Sequence, residues 1–136
     1  MQETLNSSAR RSRLVLVADD PGTRRALQLL LSGRGLDVRA YGSSRDLLVD
    51  PLSSDADVMV ADFKAPGHDG LRLIRSLRER GWLGCSLLIA DPLEAGLIPE
   101  AENAGYDRVL QKPLVDAALV RAVEVLLDRS ASRRRV

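Results

Sequence analysis

The sequence predicts an α/β fold: a single doubly wound, five-stranded parallel sheet in the order 2-1-3-4-5, with helices on both faces. Two observations predict it. Short apolar runs and amphipathic segments alternate five times, and aromatic residues make up only 3% of the 136 residues. Because aromatic residues are so few, the core must be built from Leu, Val, Ile and Ala. Such a core is typical of strands that are buried on both faces of a parallel sheet. The length suffices for one domain with a substantial core.

The first two strands are marked by different apolar patterns. Residues 14–18 are continuously apolar, as in a buried central strand, and are followed directly by Asp19 and Asp20. Asp20 is followed by proline, a typical cap and first helical residue. Residues 36–40 alternate between apolar and polar, which indicates a half-exposed strand at a sheet edge. A helix is expected over residues 43–49.

The second half repeats the alternation. Strands and helices are expected over residues 58–61, 70–79, 86–90, 98–104, 108–111 and 114–128. The helix that begins near Ile98 is the weakest, because proline costs about 3 kcal/mol in a helix interior. Pro99 is therefore expected in its first turn. The fifth strand is short and the second strand alternates, which places both at the sheet edges, as the order 2-1-3-4-5 requires. Right-handed crossovers leave few other choices.

Composition bounds the domain organisation and the cellular setting. We expect a flexible leader over residues 1–12, one domain over residues 13–128 and a basic tail over residues 129–136. The only cysteine, Cys85, excludes an intramolecular disulfide and is expected to be a buried thiol, which fits a reducing cytoplasm. Trp82 is expected to pack at the end of the third helix. No apolar run reaches ~18 residues, so no membrane span is expected.

Charge argues against nucleic-acid binding as the main activity. The net charge is only +1, so no global field attracts nucleic acid. The tail is basic and could touch nucleic acid or an acidic partner, but it is more often a solvated end or the start of a linker. No helix-turn-helix follows it, so DNA binding by this chain is not supported.

Charged side chains follow three strands of the predicted sheet. Asp19 and Asp20 follow the first strand, Asp62 ends the third, and Lys112 follows the fifth. Ligands bind beyond the carboxyl ends of parallel strands, so these groups should converge. Carboxylates ~4 Å apart repel by roughly 4 kcal/mol per pair at an effective dielectric near 20, so a hard divalent cation such as Mg²⁺ is expected. Carboxylate, cation and ammonium together suit phosphoryl transfer to an aspartate. Taken singly, Asp20 could be only a helix cap and Lys112 only a solvated strand end.

Three motifs lie at these strand ends: VADD at residues 17–20, DFKAPGHDG at residues 62–70 and QKP at residues 111–113. Together they resemble the receiver domain of two-component response regulators, and the resemblance covers residues 14–128. It implies a flavodoxin-like receiver fold. It also implies a cytoplasmic signalling domain that catalyses only its own phosphorylation and dephosphorylation.

The resemblance further implies roles for single residues. Asp62 would be the phosphoacceptor, Asp20 a direct metal ligand, and Asp19 a ligand mainly through water. The backbone carbonyl of Lys64 would complete the protein ligands of Mg²⁺ or Mn²⁺, and Lys112 would pair with Asp62 and then with the phosphoryl group. The donor would be a phosphohistidine on a sensor histidine kinase or phosphotransfer protein. The output would pass to a downstream protein or output domain, and a homodimer is one possible assembly.

Two positions depart from the family pattern. Ala90 stands where the family has a Ser or Thr whose hydroxyl bonds a phosphoryl oxygen, and Val109 stands where an aromatic residue is common. A charge-assisted hydrogen bond contributes about 1.5–3 kcal/mol, so phosphorylation is expected to couple poorly or differently to output. Asp91 either adds repulsion or, as we favour, caps the next turn. The alternative is a phosphorylation-independent pseudo-receiver that works as a protein-interaction module. A small phosphatase is a weaker alternative, because the chain offers no second nucleophile.

Overall fold

The protein forms one parallel sheet in the computed structural model, which describes residues 11–64, 67–91 and 96–135. The strands are β1 (Arg13–Ala18), β2 (Asp37–Tyr41), β3 (Val58–Asp62), β4 (Cys85–Ala90) and β5 (Arg108–Gln111). All neighbours are parallel, and the order is β2-β1-β3-β4-β5. The predicted fold class and strand order are therefore confirmed.

Helices cover both faces of the sheet. They are α1 (Pro21–Ser32), α2 (Ser44–Val49), α3 (Gly67–Glu79), α4 (Leu97–Ala104) and α5 (Asp116–Arg135), with a 3-10 helix over Pro51–Asp55. Successive strand residues point to opposite faces. Val15 and Val17 therefore enter a core beneath α2, α3 and α4, while Leu14 and Leu16 enter a second core beneath α1 and α5. Among the helices of the described residues, none is both long and apolar enough to cross a lipid bilayer.

Strand burial follows the apolar patterns of the sequence. Every residue of β3 and β4 is buried, whereas the residues of β2 are half-buried or exposed, as expected at an edge. Cys85 is fully buried, as predicted. Pro99 is the third residue of α4, so it lies in the first turn, where its missing N–H costs no intrahelical hydrogen bond.

Two helices are longer than predicted. Helix α3 begins at Gly67 rather than at residue 70, and α5 continues to Arg135 rather than ending at residue 128. The last helix thus covers most of the segment that the sequence assigned to a tail, where no Gly or Pro interrupts it. Residues 1–10 of the expected leader lie outside the described residues, as do Ala65 and Pro66 of the middle motif.

The amino ends of β4 and β5 are tied to α3 and α5 by a polar network of Arg78, Ser86, Asp107 and Arg133, called the amino-end network below. Asp107 Oδ2 accepts hydrogen bonds from Ser86 N at 2.8 Å and Arg78 Nη2 at 3.0 Å. Its Oδ1 accepts from Arg133 Nη2 at 2.6 Å. Arg78 Nη1 also donates to Gly84 O at 2.6 Å. Arg133 thereby fastens the last turns of α5 to the sheet.

Trp82 packs at the end of α3, as predicted. Its ring is buried, its Nε1 donates to Ala56 O at 2.8 Å, and the Arg78 guanidinium lies 4.9 Å from the ring centroid. Gly84 is required beside it, because a Cβ at that position would overlap the Trp82 ring. This end of the sheet is therefore closely packed as well as charged.

Candidate functional site

The carboxyl ends of β1, β3 and β5 bring the predicted site residues to one edge of the sheet. Ala18, the last residue of β1, pairs in register with Asp62, the last residue of β3. Asp19 and Asp20 follow immediately. Lys112 follows β5, and its backbone N–H donates to Ala90 O at the end of β4, at 2.9 Å. The parallel register thus places these groups as the sequence predicted.

Asp62 is a buried carboxylate with one cationic partner. It is 4% exposed, and its Oδ1 lies 3.0 Å from Lys112 Nζ. Burial raises the pKa of Asp62, because the charged form loses water. The Lys112 ammonium works against that shift, while the negative charges of Asp19 and Asp91 add to it. A single ammonium therefore does not offset the burial of this carboxylate.

Asp20 is both a helix cap and a member of the site. Its Oδ2 accepts hydrogen bonds from Thr23 N at 2.9 Å and from Thr23 Oγ1 at 3.0 Å. Its Oδ1 lies 3.2 Å from Lys64 Nζ. The two Thr23 hydrogen bonds and the Lys64 ammonium lower the pKa of Asp20 to about 2. The sequence left cap and ligand as alternatives, but the two carboxylate oxygens allow both roles.

Asp19 is held by the backbone of Lys64. The Lys64 N–H donates to Asp19 Oδ1 at 3.0 Å and to Oδ2 at 3.1 Å. One residue thus contacts both acids, Asp19 through its N–H and Asp20 through its ammonium. The sequence predicted the Lys64 carbonyl as a metal ligand and gave no role to its side chain, because a flexible exposed lysine leaves no pattern.

The acids do not form an assembled metal centre. Within residues 11–64, 67–91 and 96–135, no three His, Cys, Asp or Glu side chains are grouped closely enough to hold an ion. Each acid is engaged by a donor: Asp19 by the Lys64 N–H, Asp20 by Thr23 and Asp62 by Lys112. The donor chemistry nevertheless fits Mg²⁺ or Mn²⁺, because carboxylates of Asp19, Asp20 and Asp62 with the Lys64 carbonyl are hard oxygen ligands.

The two positions that depart from the family pattern are both in the sheet. Ala90 is 2% exposed at the end of β4, and Val109 is partly buried in β5 opposite Leu88. Neither side chain can donate a hydrogen bond. The nearby aromatic Tyr106 is buried instead beneath α3, where its hydroxyl donates to Gly70 O at 2.8 Å.

Asp91 influences the site electrostatically. Its side chain is exposed, and its charge contributes to the raised pKa of Asp62. The cap of α4 is Gly96, with no side-chain hydrogen bond. The prediction that Asp91 caps the next turn falls on residues 92–95, which lie outside the described residues. The repulsive contribution that we considered less favoured is thus present.

A cleft of about 250 Å³ lies beside Asp62 and Lys112. Its walls are mainly apolar and come from α1, from the end of β4 and from α5, and Thr23 forms part of one wall. Thr23 has no role predicted from the sequence. Its spacing from Asp20 could have indicated this contact, because the third residue after a helix cap supplies an N–H from which the cap side chain accepts a hydrogen bond. The cleft gives a ligand access to the buried carboxylate.

Comparison with known proteins shows the family of the chain. Residues 14–124 match the family described as response regulator receiver domain. The transcriptional regulatory protein FixJ of Azorhizobium caulinodans is 32% identical over 120 residues, which are 88% of this chain and 57% of that protein. The chain therefore spans little more than half the length of this curated relative, and 25% of another, the regulatory protein DctD of Pseudomonas aeruginosa.

Solved structures share the fold. A CheY-like receiver domain protein from Methanospirillum hungatei superposes with a TM-score of 0.81 at 18% identity, over 90% of this chain and 98% of that one. A response regulator structure from Chloroflexus aurantiacus gives a TM-score of 0.77 at 26% identity, over 88% and 99%. The strand order β2-β1-β3-β4-β5 thus belongs to a known architecture.

Proposed function

Because the chain belongs to the family of response regulator receiver domains, we propose that it accepts a phosphoryl group on Asp62 in a reaction that depends on Mg²⁺ or Mn²⁺. The observation that carries this proposal is the Asp62–Lys112 pair. A carboxylate that is 4% exposed faces one ammonium at 3.0 Å, at the mouth of a cleft. A carboxylate whose charge is incompletely offset is a better nucleophile than one that is fully paired.

The residues around Asp62 have distinct tasks. Lys112 holds Oδ1, and within the described part of the chain Oδ2 accepts no hydrogen bond, so Oδ2 is the oxygen that attacks phosphorus. The donor is the phosphohistidine of a sensor histidine kinase or phosphotransfer protein. Its P–N bond breaks as the P–O bond forms, and the imidazole keeps the electron pair and takes up a proton. Lys112 then pairs with a phosphoryl oxygen.

The cation has ligands available at the same edge. Asp20, Asp62 and the carbonyl of Lys64 would hold Mg²⁺ directly, and Asp19 mainly through water. When bound, the ion neutralises the charge of the transferring phosphoryl group. Hydrogen bonds within the chain orient the ligands: Thr23 fixes the orientation of Asp20, and the Lys64 N–H fixes the orientation of Asp19.

Output coupling is proposed to be altered. Ala90 offers no hydroxyl to a phosphoryl oxygen, and Val109 offers no aromatic ring that could move with it. The nearby Tyr106 is held by its hydrogen bond to Gly70. Phosphorylation therefore has fewer contacts through which to change the β4–α4 side of the domain.

The cellular setting is part of the proposal. We place the domain in the cytoplasm, where it signals to a downstream protein or output domain and catalyses only its own phosphorylation and dephosphorylation. A homodimer is one possible form. The proposed receiver unit begins at residue 13 and includes most of the basic segment, because α5 runs to Arg135.

Intact mass measurement tests the phosphoacceptor. Protein incubated with a small phosphodonor and Mg²⁺ should gain one phosphoryl group, and Asp62→Asn should gain none. The matched control is Asp37→Asn, whose side chain is 47% exposed on β2, and it should be labelled like the wild type. An adduct that persists in Asp62→Asn would move the site elsewhere.

Hydrogen exchange tests the altered coupling. We expect little change in the protection of β4, α4 and β5 when the wild type is phosphorylated. Ala90→Thr restores a hydroxyl at the end of β4 and should enlarge that change. A large phosphorylation-dependent change in the wild type itself would contradict the altered coupling while leaving the phosphoacceptor in place.

A second candidate is a phosphorylation-independent interaction module. The observation in its favour is that no three acids are grouped as a metal centre in the described residues, since Lys64 engages two of them. Metal titration discriminates between the two. A pure interaction module has no reason to bind Mg²⁺ at millimolar or lower concentration, whereas a phosphoacceptor does.

A further inference from the structure

Lys64 makes two contacts that no sequence pattern predicts. Its backbone N–H donates to both carboxylate oxygens of Asp19, at 3.0 and 3.1 Å. Its ammonium lies 3.2 Å from Asp20 Oδ1. The N–H is fixed by the backbone just after β3, but the ammonium is at the end of a flexible stem and the side chain is 70% exposed. The ammonium can therefore leave Asp20 without any change in the fold.

We propose that Lys64 is an internal competitor of the divalent cation, whose ammonium occupies Asp20 until the metal displaces it. This inference rests on the proposed metal requirement. The oxygen in question, Oδ1, is the one that Thr23 does not engage, so it is the oxygen of Asp20 that remains for a cation. An ammonium and a divalent ion cannot both contact it closely, because two cations on one oxygen repel each other.

The other cationic side chains near this edge are committed elsewhere. Lys112 pairs with Asp62 at 3.0 Å, and Arg24 Nη1 donates to Ala18 O at 2.8 Å. Among the described residues, Lys64 is thus the basic side chain that forms an ion pair with Asp20. Lys64 lies two residues after the proposed phosphoacceptor, Asp62, and contacts both Asp19 and Asp20.

As a consequence, the metal affinity depends on the exchange of the Lys64 ammonium for the metal ion at Asp20. A metal ion must replace the ammonium before it can bind Asp20, so the apparent affinity is lower than the acids alone would give. Once displaced, the ammonium is available to face a phosphoryl group that arrives at Asp62. Lys64 is accordingly a positioning residue of the site, because it acts through Asp20 and through the metal.

Binding of Mn²⁺ measures this competition directly, without phosphorylation. The free ion is quantified by electron paramagnetic resonance while the intact protein is titrated at constant ionic strength. Lys64→Met removes the charge and keeps the length of the stem, and its dissociation constant should be about 3–10-fold lower than that of the wild type. Lys64→Arg keeps the charge and should stay within about twofold of the wild type.

The matched control removes a positive charge from the other end of the sheet. Arg129 is exposed on α5 and lies close enough to the amino end of β4 to influence the pKa of Cys85. Arg129→Gln should change the dissociation constant by less than about 1.5-fold. If it changed the affinity as much as Lys64→Met does, net charge rather than local competition would be the cause, and the inference would be overturned.

The outcomes separate this inference from the proposed function. Equal Mn²⁺ affinity in the wild type and Lys64→Met overturns the role of Lys64 and leaves the metal site standing. Absence of binding in both, with native circular dichroism, overturns both proposals. Binding that appears only in Lys64→Met supports the competition in its strongest form. Since the side chain is exposed, the variant is expected to fold like the wild type.

Discussion

Two aspartates at opposite ends of the same sheet have opposite electrostatic environments. Asp62, at the carboxyl end of β3, has one ammonium against it, and burial raises its pKa. Asp107, before β5 at the amino end, is also desolvated, which alone would raise its pKa. Hydrogen bonds from Arg133 and from the backbone of Ser86, with the charges of Arg133 and Arg78, more than offset the effect of burial, so the pKa of Asp107 is lowered.

The difference separates a structural carboxylate, Asp107, from the proposed phosphoacceptor, Asp62. Both carboxylate oxygens of Asp107 accept hydrogen bonds, and two of the donors are guanidinium groups. Such a carboxylate stabilises the fold and has little left to offer a ligand. Asp62 keeps one oxygen without a hydrogen bond among the described residues, beside a cleft. Incomplete pairing lowers stability locally, and it is what a phosphoacceptor needs.

Breaking the amino-end network should have the largest effect. Asp107→Ala leaves Arg78 half-buried without its carboxylate, and we expect the free energy of unfolding to fall by about 2–4 kcal/mol. Urea denaturation followed by circular dichroism measures it. The pKa of Asp107 is lowered on folding, so its stabilisation is present above its usual value of 3.8 and is lost as the pH falls through the folded-state pKa. The loss should therefore shrink in acid.

The matched control for that loss is Asp37→Ala. Asp37 pairs with Arg13 at 3.9 Å, and its side chain is 47% exposed. An exposed pair of this kind contributes less than about 0.5 kcal/mol. A comparable loss in both variants would mean that the amino-end network is no stronger than a surface ion pair.

Metal should sharpen the contrast by stabilising only the carboxyl end. At a free Mg²⁺ concentration ten times the dissociation constant, the wild type should gain about 1.4 kcal/mol of unfolding free energy. Asp20→Asn should lose most of that gain, because it removes a carboxylate that we propose as a metal ligand. Thermal unfolding with Mg²⁺ and with chelator measures both. A gain of the same size in Asp20→Asn would place the ion at another site.

Neutralising Asp62 should stabilise the protein in the absence of metal. The folded-state pKa of Asp62 is raised, so its favourable contribution is present below 3.8 and is lost as the pH rises through that pKa. At neutral pH the ionised form destabilises the fold, so Asp62→Asn should have a higher free energy of unfolding than the wild type. Urea denaturation with chelator, from neutral to acidic pH, should show this gain disappear in acid. A loss of stability at neutral pH would mean that Lys112 offsets burial fully.

The smallest effect is expected at the edge of the amino-end network. The Arg133 side chain is 37% exposed, so Arg133→Ala should cost only about 0.5–1 kcal/mol. Its local effect should be clearer, because the amides of residues 129–135 should exchange faster than in the wild type. Unchanged exchange there would show that Arg133 does not hold the end of α5.

Much of the fold was predictable because its signals are local. A continuous apolar run marks a strand buried on both faces, and Asp20 before a proline marks the start of α1 through its own cap. The convergence of Asp19, Asp20 and Asp62 followed from strand order alone, because parallel strands end at the same edge. These inferences needed no knowledge of side-chain contacts.

The remainder depends on contacts between residues far apart in the sequence. The length of α5 is supported by Arg133 and Asp107, which meet across 26 residues, and a helical pattern cannot reveal that pair. The ion pair of Lys64 with Asp20 is similarly hidden, because a flexible exposed ammonium has no sequence signature. The sequence therefore predicted which acids share one edge of the sheet and that Lys112 pairs with Asp62, but not that Lys64 pairs with Asp20.

The position of Trp82 has a practical consequence. It is the only tryptophan, and its indole is buried among Arg78, Ala56 and Gly84, at the end of the sheet away from Asp62. Its fluorescence should therefore stay constant while metal or phosphate binds, and change sharply when the domain unfolds. The chain thus carries an optical reporter of global folding that is insensitive to its own chemistry.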